Sequence, residues 1–259
     1  MNRIDQLFSV KKEPVLSVYC TAGYPRLNST LEVMKALQDG GVDMIELGLP
    51  YSDPVADGPV IQQSSRVALD NGMNIRLLFE HLQNMRDLIH VPVILMGYFN
   101  PVLQYGMENF CIAAARAGAD GIILPDLPLY EYESMYRQIF KQTGLHFIFI
   151  VTPETSAERI REIDEIGSGF IYAVSSSSTT GNQKDLRHQE EYFKRLREMK
   201  LKNPFLVGFG VKDRESLGHA NRYSRGAIIG TAYINALEPT GEIGGATKEF
   251  LNALADPAF

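Results

Sequence analysis

Eight short apolar runs punctuate the chain, at 15–21, 43–49, 91–96, 120–124, 146–151, 170–174, 205–207 and 227–229. They are runs rather than alternations, the pattern of strands buried on both faces, as in parallel sheets. Between them, apolar residues recur at helical spacing over 28–38, 61–89 (broken at Asn71-Gly72), 110–117, 130–141, 156–166, 190–199, 213–221 and 246–254. Ile4, Leu7 and Phe8 place one more short helix ahead of the first strand. Glycine and proline fall between these elements rather than gathering in a linker, so the pattern marks no domain boundary. Eight strand–helix alternations predict an α/β fold, a single (β/α)8 TIM barrel over 1–259 with an additional N-terminal helix.

The second run departs from the purely apolar pattern. Period two places Met44, Glu46 and Gly48 on one face of the strand and Ile45, Leu47 and Leu49 on the other. A carboxylate among apolar neighbours is costly unless it is paired or used. The loop that follows contains Pro50, Pro54, Pro59, Gly58 and two further acids, Asp53 and Asp57. Barrels carry their chemistry at the C-terminal ends of the strands and on the loops beyond them, which makes Glu46 and Asp57 candidate catalytic acids. Two plainer readings stand beside this one. Glu46 could be a structural buried acid, and Asp57, followed by Gly58 and Pro59, could cap the next helix. Spacing alone leaves both pairs of readings open.

Two glycine-bearing loops, Gly208-Phe209-Gly210-Val211 and Gly230-Thr231-Ala232, follow the last two strands. In barrels these positions commonly form a phosphate cradle, because glycine lets backbone N–H groups approach phosphate oxygens. The stretch from Tyr172 through Ser175-Ser176-Ser177-Ser178-Thr179-Thr180-Gly181 reads either as a solvated linker or as a lid beside the site. Tyr19 and Tyr98, at the ends of other strands, suit a flat aromatic ligand, although such residues taken singly are more often core.

Composition narrows the partners. With 259 residues the chain can bury a full core without staples, and a formal charge of −6 argues against bulk nucleic-acid or anionic-membrane binding. An anionic small molecule is still compatible, held by local backbone amides. The two cysteines, Cys20 and Cys111, sit in apolar stretches without metal-ligand spacing and read as reduced core residues. The N-terminus has no apolar signal region and no segment approaches the length of a membrane span, so a cytoplasmic enzyme is expected.

The run Glu46-Leu47-Gly48-x-Pro50-Tyr51-Ser52-Asp53-Pro54-x-Ala56-Asp57-Gly58-Pro59 closely resembles the signature of the tryptophan synthase alpha subunit family, and the resemblance recurs along the whole chain. It implies a lyase of tryptophan biosynthesis that reversibly cleaves indole-3-glycerol phosphate to indole and glyceraldehyde 3-phosphate, with no metal or organic cofactor. By the same resemblance Glu46 is the acid/base group and Asp57 holds the indole nitrogen. Tyr19, Tyr98 and Tyr172 line the substrate, Gly210, Gly230 and Thr231 hold its phosphate, and Thr180 and Gly181 end the lid. Family members typically close that lid with Gly-Val-Thr-Gly, where this chain reads Ser178-Thr179-Thr180-Gly181. The resemblance further implies a pyridoxal-phosphate beta subunit as partner in an α2β2 heterotetramer, contacting Ser52-Asp53-Pro54 and Asn100-Pro101-Val102-Leu103. Rival readings are another phosphate-binding barrel (epimerase, aldolase or decarboxylase), a free-standing lyase, and a binding module without turnover. The first would want a metal cluster or a strand-end lysine, whereas the predicted strands have no interior lysine and the five histidines are scattered.

Overall fold

The computed structural model describes residues 1–174, 186–208, 210–237 and 242–255. Thr180 and Gly181, with the rest of the serine-rich loop, lie outside the described residues. The chain begins with a helix, Arg3–Val10, whose first turn is capped by the Asn2 side chain accepting from the Ile4 N–H. Nine strands follow among the described residues: β1 (Val15–Thr21), β2 (Met44–Gly48), β3 (Val93–Met96), β4 (Gly121–Ile123), β5 (His146–Phe147), β6 (Ile150–Val151), β7 (Ile171–Val174), β8 (Phe205–Gly208) and β9 (Gly226–Ile229). They form one parallel sheet in the order β5-β4-β3-β2-β1-β9-β8-β7-β6.

The sheet begins and ends on β5 and β6, which are successive pieces of the run 146–151 predicted as one strand. Its backbone changes partner half-way. The Ile148 N–H donates to Ile122 at 3.0 Å, and the Phe149 carbonyl accepts from Tyr172 at 2.9 Å. The ring therefore closes through this segment, one half paired with β4 and the other with β7. Barrel closure requires such stagger between neighbours, and it splits the fifth of the eight expected strands into two.

Alternation along the strands separates two cores. Met44, Ile94, Ile123, Ile148, Phe170, Leu206 and Ile228 fill the barrel, whereas Ile45, Leu47, Leu49 and Leu95 pack outward against the helices. The N-terminal helix closes the end of the barrel where the strands begin. Ile4, fully buried, joins the inner core, and the Phe8 ring lies 6.2 Å from Phe170. Asn2 donates to the carbonyls of Asp120 and Gly144, tying the helix to that end. The opposite end, where the strands finish, is left to the loops.

Three local departures have simple causes. A helix, Phe99–Tyr105, forms in the interval between the third run and the helix expected at 110–117, and Pro101 sits in its first turn, where a missing N–H breaks no bond. Gly106, at φ 92°, then separates it from Met107–Ala117. The stretch predicted as one helix over 130–141 contains a π-helical turn at Tyr132–Tyr136. Thr231, expected in a loop, opens a further helix, Thr231–Leu237, directly after Gly230.

Candidate active site

β2 carries Glu46 into the barrel on the same face as Met44, as its alternation predicts. The side chain is fully buried. Its Oε1 accepts from the Ser17 hydroxyl on neighbouring β1 at 3.4 Å, and its Oε2 has no partner among the described residues. Burial pushes the carboxyl up to about 8, against the downward pull of the Ser17 hydrogen bond. Asp120 shows the contrasting case. Equally inaccessible, it accepts from Arg3 at 3.1 Å, from Arg86 at 2.5 Å and from the Val93 N–H at 2.9 Å. A structural buried acid in this barrel is fully partnered; Glu46 keeps one oxygen free.

Asp57 stands half-buried on the loop after β2. Burial raises its carboxyl to about 6, and a hydrogen bond from Tyr98 draws it back. The Tyr98 hydroxyl also accepts the Ala56 N–H at 2.9 Å, so one phenol from the end of β3 holds the loop on both sides of its peptide link. The helix-cap reading of Asp57 does not hold. Helix Pro59–Asp70 is entered through Gly58 in extended conformation with Pro59 at its first position, and no side chain caps it.

Three tyrosines line the same space. Tyr19 is the register partner of Glu46 on β1, and Tyr172 is the second residue of β7. Both are deeply buried, and desolvation is the largest cause holding their hydroxyls neutral well above the usual phenol range. The field of Asp57 acts on both, and that of Glu46 on Tyr172, so the two acids and the two phenols share one neighbourhood. Tyr51 packs 5.3 Å from Tyr98 and extends the aromatic wall.

Sequence reasoning overlooked why glycines stand beside these rings. A Cβ on Gly48 would lie 2.0 Å from the Tyr19 hydroxyl oxygen, and one on Gly208 would lie 2.3 Å from that of Tyr172. The phenolic end of each ring fills the space a side chain would take at a strand-end glycine, and the only signal in the sequence is a glycine at an inward position. Gly48→Ala is therefore expected to displace Tyr19 and lower kcat/KM about tenfold while the protein stays folded, overpacking of this kind costing about 1–3 kcal/mol. Steady-state kinetics with a thermal melt on the same sample checks this; unaltered kinetics would show that the Tyr19 position is immaterial.

At the far side, Gly210 follows β8 with φ 76°, in the left-handed region that favours glycine. Gly230 follows β9 and leads into Thr231 at the start of its helix. The loops after β8 and β9 are those that barrels use for phosphate.

Comparison with known proteins bears on this arrangement. The family profile described as "Tryptophan synthase alpha chain" matches residues 6–254. The tryptophan synthase alpha chain of Flavobacterium psychrophilum is 52% identical over 242 residues, 93% of this chain and 95% of that protein. This chain belongs to the tryptophan synthase alpha chain family. The alpha chain of Flavobacterium johnsoniae is 50% identical across 98% of this chain and all of its own length. The crystal structure of the alpha subunit from Legionella pneumophila superposes with a TM-score of 0.89 at 34% identity, covering 98% and 97% of the two chains. That of tryptophan synthase from M. tuberculosis, in an aminoacrylate-bound form, gives 0.86 at 29% identity. As a member of the tryptophan synthase alpha chain family, the protein is a lyase of tryptophan biosynthesis. No helix among the described residues is long and apolar enough to cross a membrane.

Proposed function

We propose that the protein reversibly cleaves indole-3-glycerol phosphate into indole and glyceraldehyde 3-phosphate, with Glu46 as the acid/base group and Asp57 as the partner of the ring nitrogen. What carries the reading is a pair of carboxyl groups in one barrel mouth with proton affinities on opposite sides of neutrality, Glu46 at about 8 and Asp57 at about 6. Such a split sorts acid from base. Near pH 7 Glu46 holds its proton and Asp57 does not.

Cleavage needs a proton on the indole carbon that leaves, and then loss of the proton from the adjacent side-chain hydroxyl. Glu46 delivers the first proton through its free Oε2 and, as a carboxylate, takes up the second. The carbon–carbon bond breaks as the hydroxyl becomes the aldehyde, and Glu46 ends in its starting form. Positive charge develops on the ring nitrogen as its carbon is protonated, and the Asp57 carboxylate accepting the N–H offsets that charge. Because one group gives and regains the proton, the reading assigns no metal or organic cofactor. Tyr19, Tyr98 and Tyr172 hold the ring plane, and Gly210, Gly230 and Thr231 anchor the phosphate. Anchoring at the far end orients the ring between the two acids.

The pH dependence has a definite sign. Below about 6 Asp57 becomes neutral and the ring nitrogen loses its partner; above about 8 Glu46 loses the proton it must deliver. A bell-shaped kcat/KM profile with limbs near these values is expected, and a flat profile from pH 5 to 9 would remove the paired-carboxyl mechanism.

A beta subunit fits the same rim. Val55, Leu103 and Tyr130 are exposed apolar side chains on the segments after β2, β3 and β4, strands adjacent in the sheet. Exposed apolar groups on contiguous loops suit a protein partner. The test of the whole reading is indole release from indole-3-glycerol phosphate by the purified chain, with and without the beta subunit of the same organism. Slow release alone and stimulation by the partner support it. No release under either condition overturns the proposed reaction, and release without stimulation leaves a free-standing lyase.

A further inference from the structure

Ser17 is a buried polar residue for which the reaction as drawn has no use. It is the third residue of β1 and faces the barrel interior, fully inaccessible to solvent. The apolar side chains of Val15, Met44 and Ile94 belong to the same interior. A hydroxyl in such surroundings is unfavourable unless it is hydrogen-bonded. Buried strand serines ordinarily find a backbone carbonyl, but among the described residues the Ser17 hydroxyl has one partner, Oε1 of Glu46. The two oxygens of Glu46 are thereby unequal, one met by Ser17 and the other without a partner.

We infer that Ser17 is a positioning residue for Glu46, its hydroxyl holding Oε1 so that Oε2 is presented to the substrate and the carboxylate form is stabilised after the first proton is delivered. This rests on the proposed acid/base role of Glu46. The 3.4 Å separation is long, as expected beside a neutral carboxyl. A hydroxyl donates more strongly to a carboxylate than to a carboxylic acid, so the contact tightens when Glu46 ionises and relaxes when it regains its proton. Ser17 keeps its own proton throughout. The other titratable groups whose fields couple to Glu46 are the Cys20 thiol on β1, which burial pushes to about 12, and the Tyr172 hydroxyl on β7, raised well above its ordinary value. Both stay neutral across the range in which Glu46 titrates; on β3 its register partner is Ile94.

Removing the hydroxyl should make Glu46 harder to ionise. The test follows the Glu46 carboxyl stretch by infrared titration, the band being assigned by its loss in Glu46→Gln, alongside kcat/KM–pH profiles of the full chain with its beta subunit. In Ser17→Ala the infrared midpoint and the alkaline limb of kcat/KM are expected to rise together by about one pH unit, the equivalent of one hydrogen bond. At pH 7 kcat is expected to fall about three- to tenfold with KM nearly unchanged, because a contact used after binding is lost. Ser17→Thr keeps the hydroxyl and should restore both titrations. An infrared midpoint that stays put in Ser17→Ala overturns the inference whatever the activity. A midpoint that moves while the kcat/KM limb stays fixed instead overturns the acid/base role of Glu46 on which it rests.

Discussion

Glu46→Gln is expected to lower kcat for indole release by about 10²–10⁴-fold, the usual contribution of a general acid/base group. Glutamine preserves the size of the side chain and can still accept from Ser17, so the loss isolates the proton. KM should change little, because the oxygen that Glu46 leaves unpartnered is used in the chemical step rather than in holding the phosphate. The same substitution makes a stability prediction of known sign. In the folded protein Glu46 ionises near 8, in the unfolded chain near the ordinary carboxylate value of about 4.3. Any group raised in this way favours folding fully at low pH, and that contribution is lost progressively as the pH climbs from the lower value to the higher. Glutamine has no such dependence. Glu46→Gln should therefore match the parent near pH 4 and exceed it by roughly a few kcal/mol near pH 8. Denaturant unfolding at the two pH values, with turnover on the same preparations, checks both halves. A variant that is inactive because it is misfolded would be less stable at both, and near-normal turnover would remove Glu46 from the mechanism.

This opposition of stability and activity explains what could be seen in the sequence. Apolar runs and helical spacing locate the strands and most helices, because burial on two faces and on one face leave different periods in the chain. The inward direction of Glu46 follows from alternation with Met44, and both inner and outer cores respect it. Events that depend on two distant segments meeting leave no local trace. The split of 146–151 records a change of hydrogen-bonding partner from β4 to β7, decided by barrel stagger rather than by these residues. The helix at Phe99–Tyr105 was hidden by Asn100-Pro101, a pair that reads as a turn until Pro101 is placed in a first turn. The Tyr19 ring on Gly48 and the Ser17 hydroxyl on Glu46 are contacts between strands, and only register brings them together. The site lies where local preference is overruled: an acid in an apolar lumen, with one oxygen left unpaired.

Asp57→Asn is expected to lower kcat by about 10²–10³-fold, the scale for removing one group that stabilises transition-state charge. Asparagine matches aspartate in shape and can still meet Tyr98, but it brings no negative charge to the ring nitrogen. The sequence allowed a cheaper role, in which Asp57 caps the following helix and its loss costs about 1 kcal/mol of stability. The structure gives that helix Gly58 and Pro59 at its entrance and no side-chain cap, so Asp57→Asn should be no less stable than the parent and, with the raised carboxyl removed, more stable above about pH 6. A large loss of turnover without loss of stability separates the two roles, and the reverse pattern would return Asp57 to the helix. The charge argument can be pressed further with a substrate methylated on the ring nitrogen. That analogue has no N–H to donate, so the parent protein should turn it over slowly. If the carboxylate acts through that one contact, Asp57→Asn should slow the analogue little further, the two removals being non-additive because they delete the same interaction. Additive losses would instead place Asp57 elsewhere in the reaction, acting on the loop that Tyr98 holds rather than on the ring.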